Sequence, residues 1–273
     1  MNWFDIRNLG ATSEDLFGPV TPRMQPASNR TASYTYVAYM LLMTAGMVIT
    51  SVVFNDVYPS FTLIKVLLPV EILLTFMCAI VVWKYYNGGA HIFGNLHKVS
   101  LGWMAPIYVM LFAAWGNIIL SMQSLSIDDA QSTAFLITGL TTLFVGISEE
   151  LMFRGIILQS LLKTQSTQRA VLISALAFSS LHSINVIAHH SWALMLGQLA
   201  MTFVFGIFAA GVTIRLNNLL PMIVFHWLWD FQTLTSVVLP IQTPVWVGGT
   251  IGIELILGIV LWIGLKNNKT AHG

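Results

Sequence analysis

Apolar runs about twenty residues long recur from Ser33 to the end of this chain, and no other feature limits its fold as much. A helix rises ~1.5 Å per residue, so about 20 such residues cross a hydrocarbon core of about 30 Å. Inside that core each backbone N–H and C=O must be paired within the protein, which a helix does within its own run. The sequence predicts spans at 34–54, 62–83, 101–121, 132–162, 169–188, 192–214, 219–239 and 244–265. The expected fold is therefore all-α, a polytopic transmembrane helical bundle of about eight spans. The fourth run is too long for a simple crossing, so a tilt or a polar cytoplasmic extension is expected there. Pro69 and Pro106 fall inside spans, where neighbouring helices can satisfy the backbone groups they free.

Composition agrees. Only 8% of the 273 residues are charged and 56% are hydrophobic, whereas a soluble domain carries about a quarter charged residues. A net charge of +1 leaves no basic excess to neutralise phosphates, which argues against nucleic acid as a partner. Cys78 is the sole cysteine, so an internal disulfide and a cysteine-rich metal site are both excluded. Its apolar surroundings suit a packed thiol.

Residues 1–33 read as a cytoplasmic tail. They are polar, carry Pro19, Pro22 and Pro26, and lack the basic-then-apolar start of a cleavable signal. Met1–Leu9 could rest on the membrane surface through Trp3, Phe4 and Ile6, or form a disordered terminus. Residues 34–121 hold the first three spans, 122–240 the next four, and 241–273 the last span and the C-terminus.

Basic residues set the orientation. Arg7, Arg23, Arg30, Lys84, Lys98, Lys163, Arg169, Arg215, Lys266 and Lys269 all lie in the tail, the C-terminus or alternate loops. These are ten of the twelve Lys and Arg residues, and the four opposite loops have none, only acids such as Asp56, Asp128 and Asp129. The positive-inside rule places both termini in the cytoplasm of a multi-pass cell-membrane protein.

An ionisable group at membrane depth costs several kcal/mol unless it is paired or wetted. The candidates are Lys65, Glu71, Glu149, Glu150, Arg154, His182, His226, Asp230 and Glu254. Six of them fall into three motifs: Glu149-Glu150-Leu-Met-Phe-Arg154, Phe178-Ser-Ser-Leu-His182 and His226-Trp-Leu-Trp-Asp230. Glu150 and Arg154 are four apart and can form an ion pair, while Glu149 is turned by about 100° from Glu150 and is left to do other work. His226 and Asp230, also four apart, can together grip a water, a metal or a substrate oxygen. Phe178 lies one turn from His182, where it can fix the imidazole or line a pocket.

Depth is an independent check. Counted from Lys163, Arg169 and Arg215, Glu149, His182, His226 and Asp230 lie about 21, 20, 16 and 22 Å from the basic side. All four can meet in one layer, although their helices alternate in direction. Lys65 can snorkel outward. Glu71 and Glu254 have no spaced partner and read as packing or hydrogen-bonding residues, and Trp227 and Trp229 as packing or interface-anchoring ones.

The three motifs, in this order, resemble the CAAX-protease and bacteriocin-processing family of intramembrane endopeptidases. The resemblance runs from about Leu136 to Asp230 and takes in Gly206–Arg215 and the Asn218-Leu-Leu-Pro221 turn. It makes 122–240 the protease core. It implies that Glu149 activates a water with help from His182, that His226 and Asp230 face the developing oxyanion, and that Glu150 and Arg154 support the site. The eukaryotic prenyl-protein members have Asn at the position of Asp230. An amide donates to an oxyanion and an ionised carboxylate does not, so Asp230 must be protonated, orient His226 or bind a metal.

Two mechanisms fit these residues. His182 and His226 with Glu149 or Asp230 could ligate Zn²⁺, which lowers the pKa of a bound water to about 7. Alternatively Glu149 is itself the base and no cofactor is needed. The lack of HExxH and the spread of the ligands over three helices favour the metal-free form. The implied partners are the bilayer and a membrane-associated protein or peptide: a prenylated C-terminus, a leader peptide or a membrane-protein loop. A role in bacteriocin maturation or immunity is included. Two other classes compete, a non-catalytic scaffold and an ion or proton transporter. The transporter reading lacks the related halves that such proteins show.

Overall fold

A computed structural model describes residues 28–86, 89, 92–93, 105–123, 125–188, 191–242 and 245–265. Among them every long element is helical, as the apolar runs require. The helices are α1 Asn29–Val48, α2 Phe61–Tyr85, α3 Ala105–Gln123, α4 Asp129–Glu150, α5 Leu158–Leu162, α6 Thr167–Leu181, α7 Trp192–Leu216, α8 Leu220–Val238 and α9 Thr250–Gly264. A π-helical stretch, Ile49–Val53, extends α1, and another, Leu151–Ile157, joins α4 to α5. His182–Ala188 continues α6 as 3₁₀ helix, and Val245–Gly249 leads into α9 in the same form.

Seven of these stretches are long and apolar enough to cross a membrane. The eighth span is α8, with 19 residues. Its hydropathy is held down by His226, Trp227, Trp229, Asp230 and Gln232. The first span starts at Asn29, capped by Ser28, five residues before the sequence suggested. The proposed surface segment Met1–Leu9 lies outside the described residues. At the charge-poor end, α2, α4 and α7 begin at Ser60, Asp128 and Ser191, whose side chains each accept a first-turn N–H. Such caps satisfy donors that the helix leaves free.

The fourth span is long, as the sequence suggested, and its length includes a feature the apolar run did not indicate: all seven residues of the π-stretch are buried, and Leu158, Gln159, Ser160 and Leu162 are buried beyond it. A π-turn shifts the hydrogen-bond register and leaves carbonyls to be satisfied from outside. Ser174 donates to the Phe153 carbonyl at 2.8 Å, and Tyr86 donates to that of Ile156 at 3.0 Å. Neighbouring helices thereby hold the stretch that follows Glu150.

In the interior α4 packs on α8 and α2, α6 on α7, and α7 on α9. Two glycines permit the closest approaches. A Cβ on Gly146 would lie 3.0 Å from the Trp227 backbone nitrogen, and one on Gly206 2.8 Å from the Ala175 Cα. The first of these contacts puts the Glu149 turn of α4 directly against the His226 turn of α8.

Candidate active site

Glu150 is the hub. Its Oε1 accepts from Arg154 Nη1 at 2.9 Å, the pair that four-residue spacing on one helix predicts. The same oxygen meets His226 Nδ1 at 2.9 Å across 76 residues of sequence. A carboxylate paired with a guanidinium is an acceptor, so Nδ1 carries the proton. Nε2 of His226 is then turned to the other two acids, 3.7 Å from Glu149 Oε2 and 3.4 Å from Asp230 Oδ2. Glu150 thus holds the far side of the His226 ring, while Asp230 stands at its near side, so both carboxylates are placed to orient the imidazole.

Glu149 and Glu150 are both buried, yet in different surroundings. Glu150 is committed through Oε1 to Arg154 and His226, although its Oε2, like Glu149 Oε2, has no hydrogen-bond partner among the described residues; Glu149 instead lines a cavity that Glu150 does not. A turn of about 100° between successive helical residues accounts for the division. Arg154, equally buried, lies with its guanidinium 4.3 Å from the Phe178 ring centroid and 5.3 Å from that of Phe205. These faces attract the cation where no water can reach it.

Phe178 does more than line the site. Its ring meets His182 edge-on at 5.2 Å and His226 at 5.9 Å, so one aromatic face positions both imidazoles and the arginine. His182 sits where α6 tightens into 3₁₀ helix, with Nδ1 3.2 Å from the Phe178 carbonyl. That carbonyl accepts only, so Nδ1 donates and Nε2 is left as an acceptor.

Glu149, His182 and Asp230 line one cavity of about 100 Å³. A space of that size holds a few water molecules, and within a mostly apolar lining Glu71, Glu149, His182 and Asp230 supply their polar partners. Its rim is polar: Asn185 Nδ2 donates to Gln198 Oε1 at 2.9 Å, and Gln198 Nε2 donates to Tyr58 Oη at 3.2 Å. Burial raises the Tyr58 phenol above its ordinary pKa, so the rim hydroxyl stays neutral.

Glu71, read from the sequence as a packing or hydrogen-bonding residue, has its hydrogen-bond partner on another helix and also lines the cavity with Glu149. It is fully buried on α2. Its Oε2 accepts from Ser148, whose hydroxyl is 2.8 Å from that of Tyr39. A signal was available in the sequence: Glu71 precedes the basic Lys84 by 13 residues, or about 20 Å, the depth of the other acids. Glu71→Gln is expected to keep the Ser148 bond through its amide oxygen and to fold normally. Glu71→Leu should lower stability by about 1–3 kcal/mol, since it takes away the carboxylate acceptor of the Ser148 hydroxyl and leaves that hydroxyl only the Tyr39 hydroxyl and the Val145 carbonyl. Thermal unfolding of the two purified variants is the check, and equal melting temperatures would refute the role.

Glu254 is also buried, on α9, but it is not among the cavity residues. Lys65 is exposed, its Nζ 5.0 Å over the Phe61 ring towards the start of α2, as snorkelling requires. Cys78 is buried.

The residues as placed do not fit a zinc site. Zinc needs three or four ligand atoms about 2.0–2.2 Å from one point. Among the described residues no three His, Cys, Asp or Glu side chains converge in that way. His182, His226, Glu149 and Asp230 share a region but not one coordination centre.

With this geometry in view, the family comparison adds an independent finding. Residues 131–232 match the family model for type II CAAX prenyl endopeptidase, Rce1-like. The matched segment begins in the first turn of α4 and ends on α8, so all three motifs lie within it. Spans α1 to α3, and Glu71 with them, lie outside. No curated protein matches the chain.

Proposed function

Starting from an Rce1-like segment in a polytopic membrane protein, we propose that this chain is an intramembrane endopeptidase whose general base is Glu149. The observation that carries the reading is that the buried Glu149, with Oε2 unpartnered among the described residues, lines one cavity with His182 and Asp230 and lies 3.7 Å from His226 Nε2. Glu149 takes a proton from a water as the water oxygen attacks the peptide carbonyl. His182, with Nε2 as acceptor, orients that water. The carbonyl oxygen gains negative charge, and His226 donates to it through Nε2 when its ring carries both protons. Glu150 balances that positive charge from the opposite side. As the C–N bond breaks, Glu149 returns its proton to the leaving amine, and the carboxylate is ready for another cycle.

Asp230 has no donor to offer an oxyanion while it is ionised. Its place is beside His226 Nε2, where it holds the imidazole hydrogen or the attacking water. Asp230→Asn is therefore expected to cut cleavage by less than about tenfold, well short of the 10²–10³ typical of a lost oxyanion donor. Chelators should leave the wild type active in the same membranes. Loss of activity on chelation, restored by added zinc, would overturn the metal-free mechanism. The substrate in this reading is a membrane-associated protein or peptide, with CAAX-type processing and bacteriocin maturation or immunity as members of that class.

A further inference from the structure

We infer that the cavity of this site opens at the extracytoplasmic face, so that within the class proposed above its substrates are peptide segments on that side of the membrane and not the cytoplasmic C-termini of CAAX-type processing. The inference rests on the proteolytic reading above and on the orientation drawn from the basic residues.

Apart from Leu181, which is adjacent to His182, the cavity residues beyond the acids and His182 lead the same way along their helices. On α2 they precede Glu71, as Leu67 does, and on α4 they precede Glu149, as Thr142 does. On the stretch that continues α6 they follow His182, as Asn185 does, and on α8 Leu234 follows Asp230. Helices α2 and α4 start at the end where α6 and α8 finish, so all four directions point to one face. That face holds the loop between α1 and α2, and Tyr58, Pro59 and Ser60 of this loop complete the lining. It is also the face whose loops have no Lys or Arg.

Towards the basic end the same site is closed. Met152, Phe153, Arg154 and Ile156 on the π-stretch and Met222 on α8 are each 1% exposed or less. A cytoplasmic C-terminus would have to pass through this packed half to reach Glu149. Among the described residues, a segment arriving from the other side first meets the polar groups of the rim. There the Tyr58 N–H donates to the Ala188 carbonyl at 2.9 Å and Gln198 bridges Tyr58 to Asn185, so hydroxyl and amide groups flank the entrance. Such groups suit the backbone of an extended peptide.

The test uses the full chain with Cys78→Ala, carrying Leu234→Cys in the cavity, Val57→Cys in the α1–α2 loop, or Lys163→Cys after α5. A membrane-impermeant maleimide is applied to intact cells and to lysed membranes. The expected result is labelling of Leu234→Cys and Val57→Cys in intact cells, and of Lys163→Cys only after lysis. If Leu234→Cys reacts only after lysis, or from neither side, while Val57→Cys reacts in intact cells, the opening is wrong. If Lys163→Cys reacts in intact cells, the orientation is wrong and the inference goes with it. Peptide termini lost from cells carrying Glu149→Gln are then mapped by mass spectrometry. Termini on extracytoplasmic segments support the substrate assignment, and termini on cytoplasmic segments overturn it. If labelling is as expected but no termini are lost, proteolysis is refuted and the outward opening survives without it.

Discussion

Replacing Glu149 by Gln is expected to abolish cleavage while the protein remains in the membrane at its wild-type level. The substitution keeps the shape of the side chain and removes only its capacity to take a proton. Little structure depends on that capacity, since Glu149 Oε2 makes no hydrogen bond among the described residues and its nearest charged contact is His226 Nε2 at 3.7 Å. Loss of a general base alone lowers a rate by about 10²–10⁴. Quantifying cleaved termini against immunoblotted protein separates rate from abundance. Full proteolysis by this variant would remove both the glutamate and the metal mechanisms and leave the scaffold reading standing.

Glu150→Gln is expected to behave in the opposite way, losing protein as well as activity. Glu150 Oε1 is shared by Arg154 Nη1 and His226 Nδ1, each at 2.9 Å, and the Glu150–Arg154 pair is wholly buried. Removing one partner of a buried pair leaves an uncompensated charge, which costs about 3–5 kcal/mol. Arg154 cannot turn to water, because Phe178 and Phe205 enclose it. The surviving protein should also cleave poorly, since the charge that fixes the His226 tautomer is gone. A double-mutant cycle of Glu150→Gln with Arg154→Gln should show a coupling of about 0.5–3 kcal/mol in stability. Additive effects, or equal membrane levels for Glu149→Gln and Glu150→Gln, would refute the division of labour between the two acids.

Much of that division is legible in the order of the residues alone. Helical geometry sets which residues three and four apart share a face, so the pairing of Glu150 with Arg154 follows from spacing. A rise of ~1.5 Å per residue likewise converts distance from a basic marker into depth, which brings Glu149, His182, His226 and Asp230 to one layer. The apolar runs require a helical bundle because a bilayer offers the backbone no partner. These are local rules, and they hold wherever the chain is helical.

The tertiary structure decided what depends on how the helices are turned and tilted against one another. His226 bonds to Glu150, 76 residues away, and only packing of α8 on α4 at Gly146 determines which imidazole nitrogen faces which acid. Glu71 has no spaced partner in the sequence because Ser148, and Tyr39 behind it, lie on two other helices. The buried π-stretch after Glu150 is held by Ser174 and Tyr86, contacts with no signature in the residues of α4 itself. Which residues line the cavity was equally hidden. Depth counted along a helix locates a residue between the two faces of the bundle, but whether one half is packed and the other hollow depends on all the helices at once.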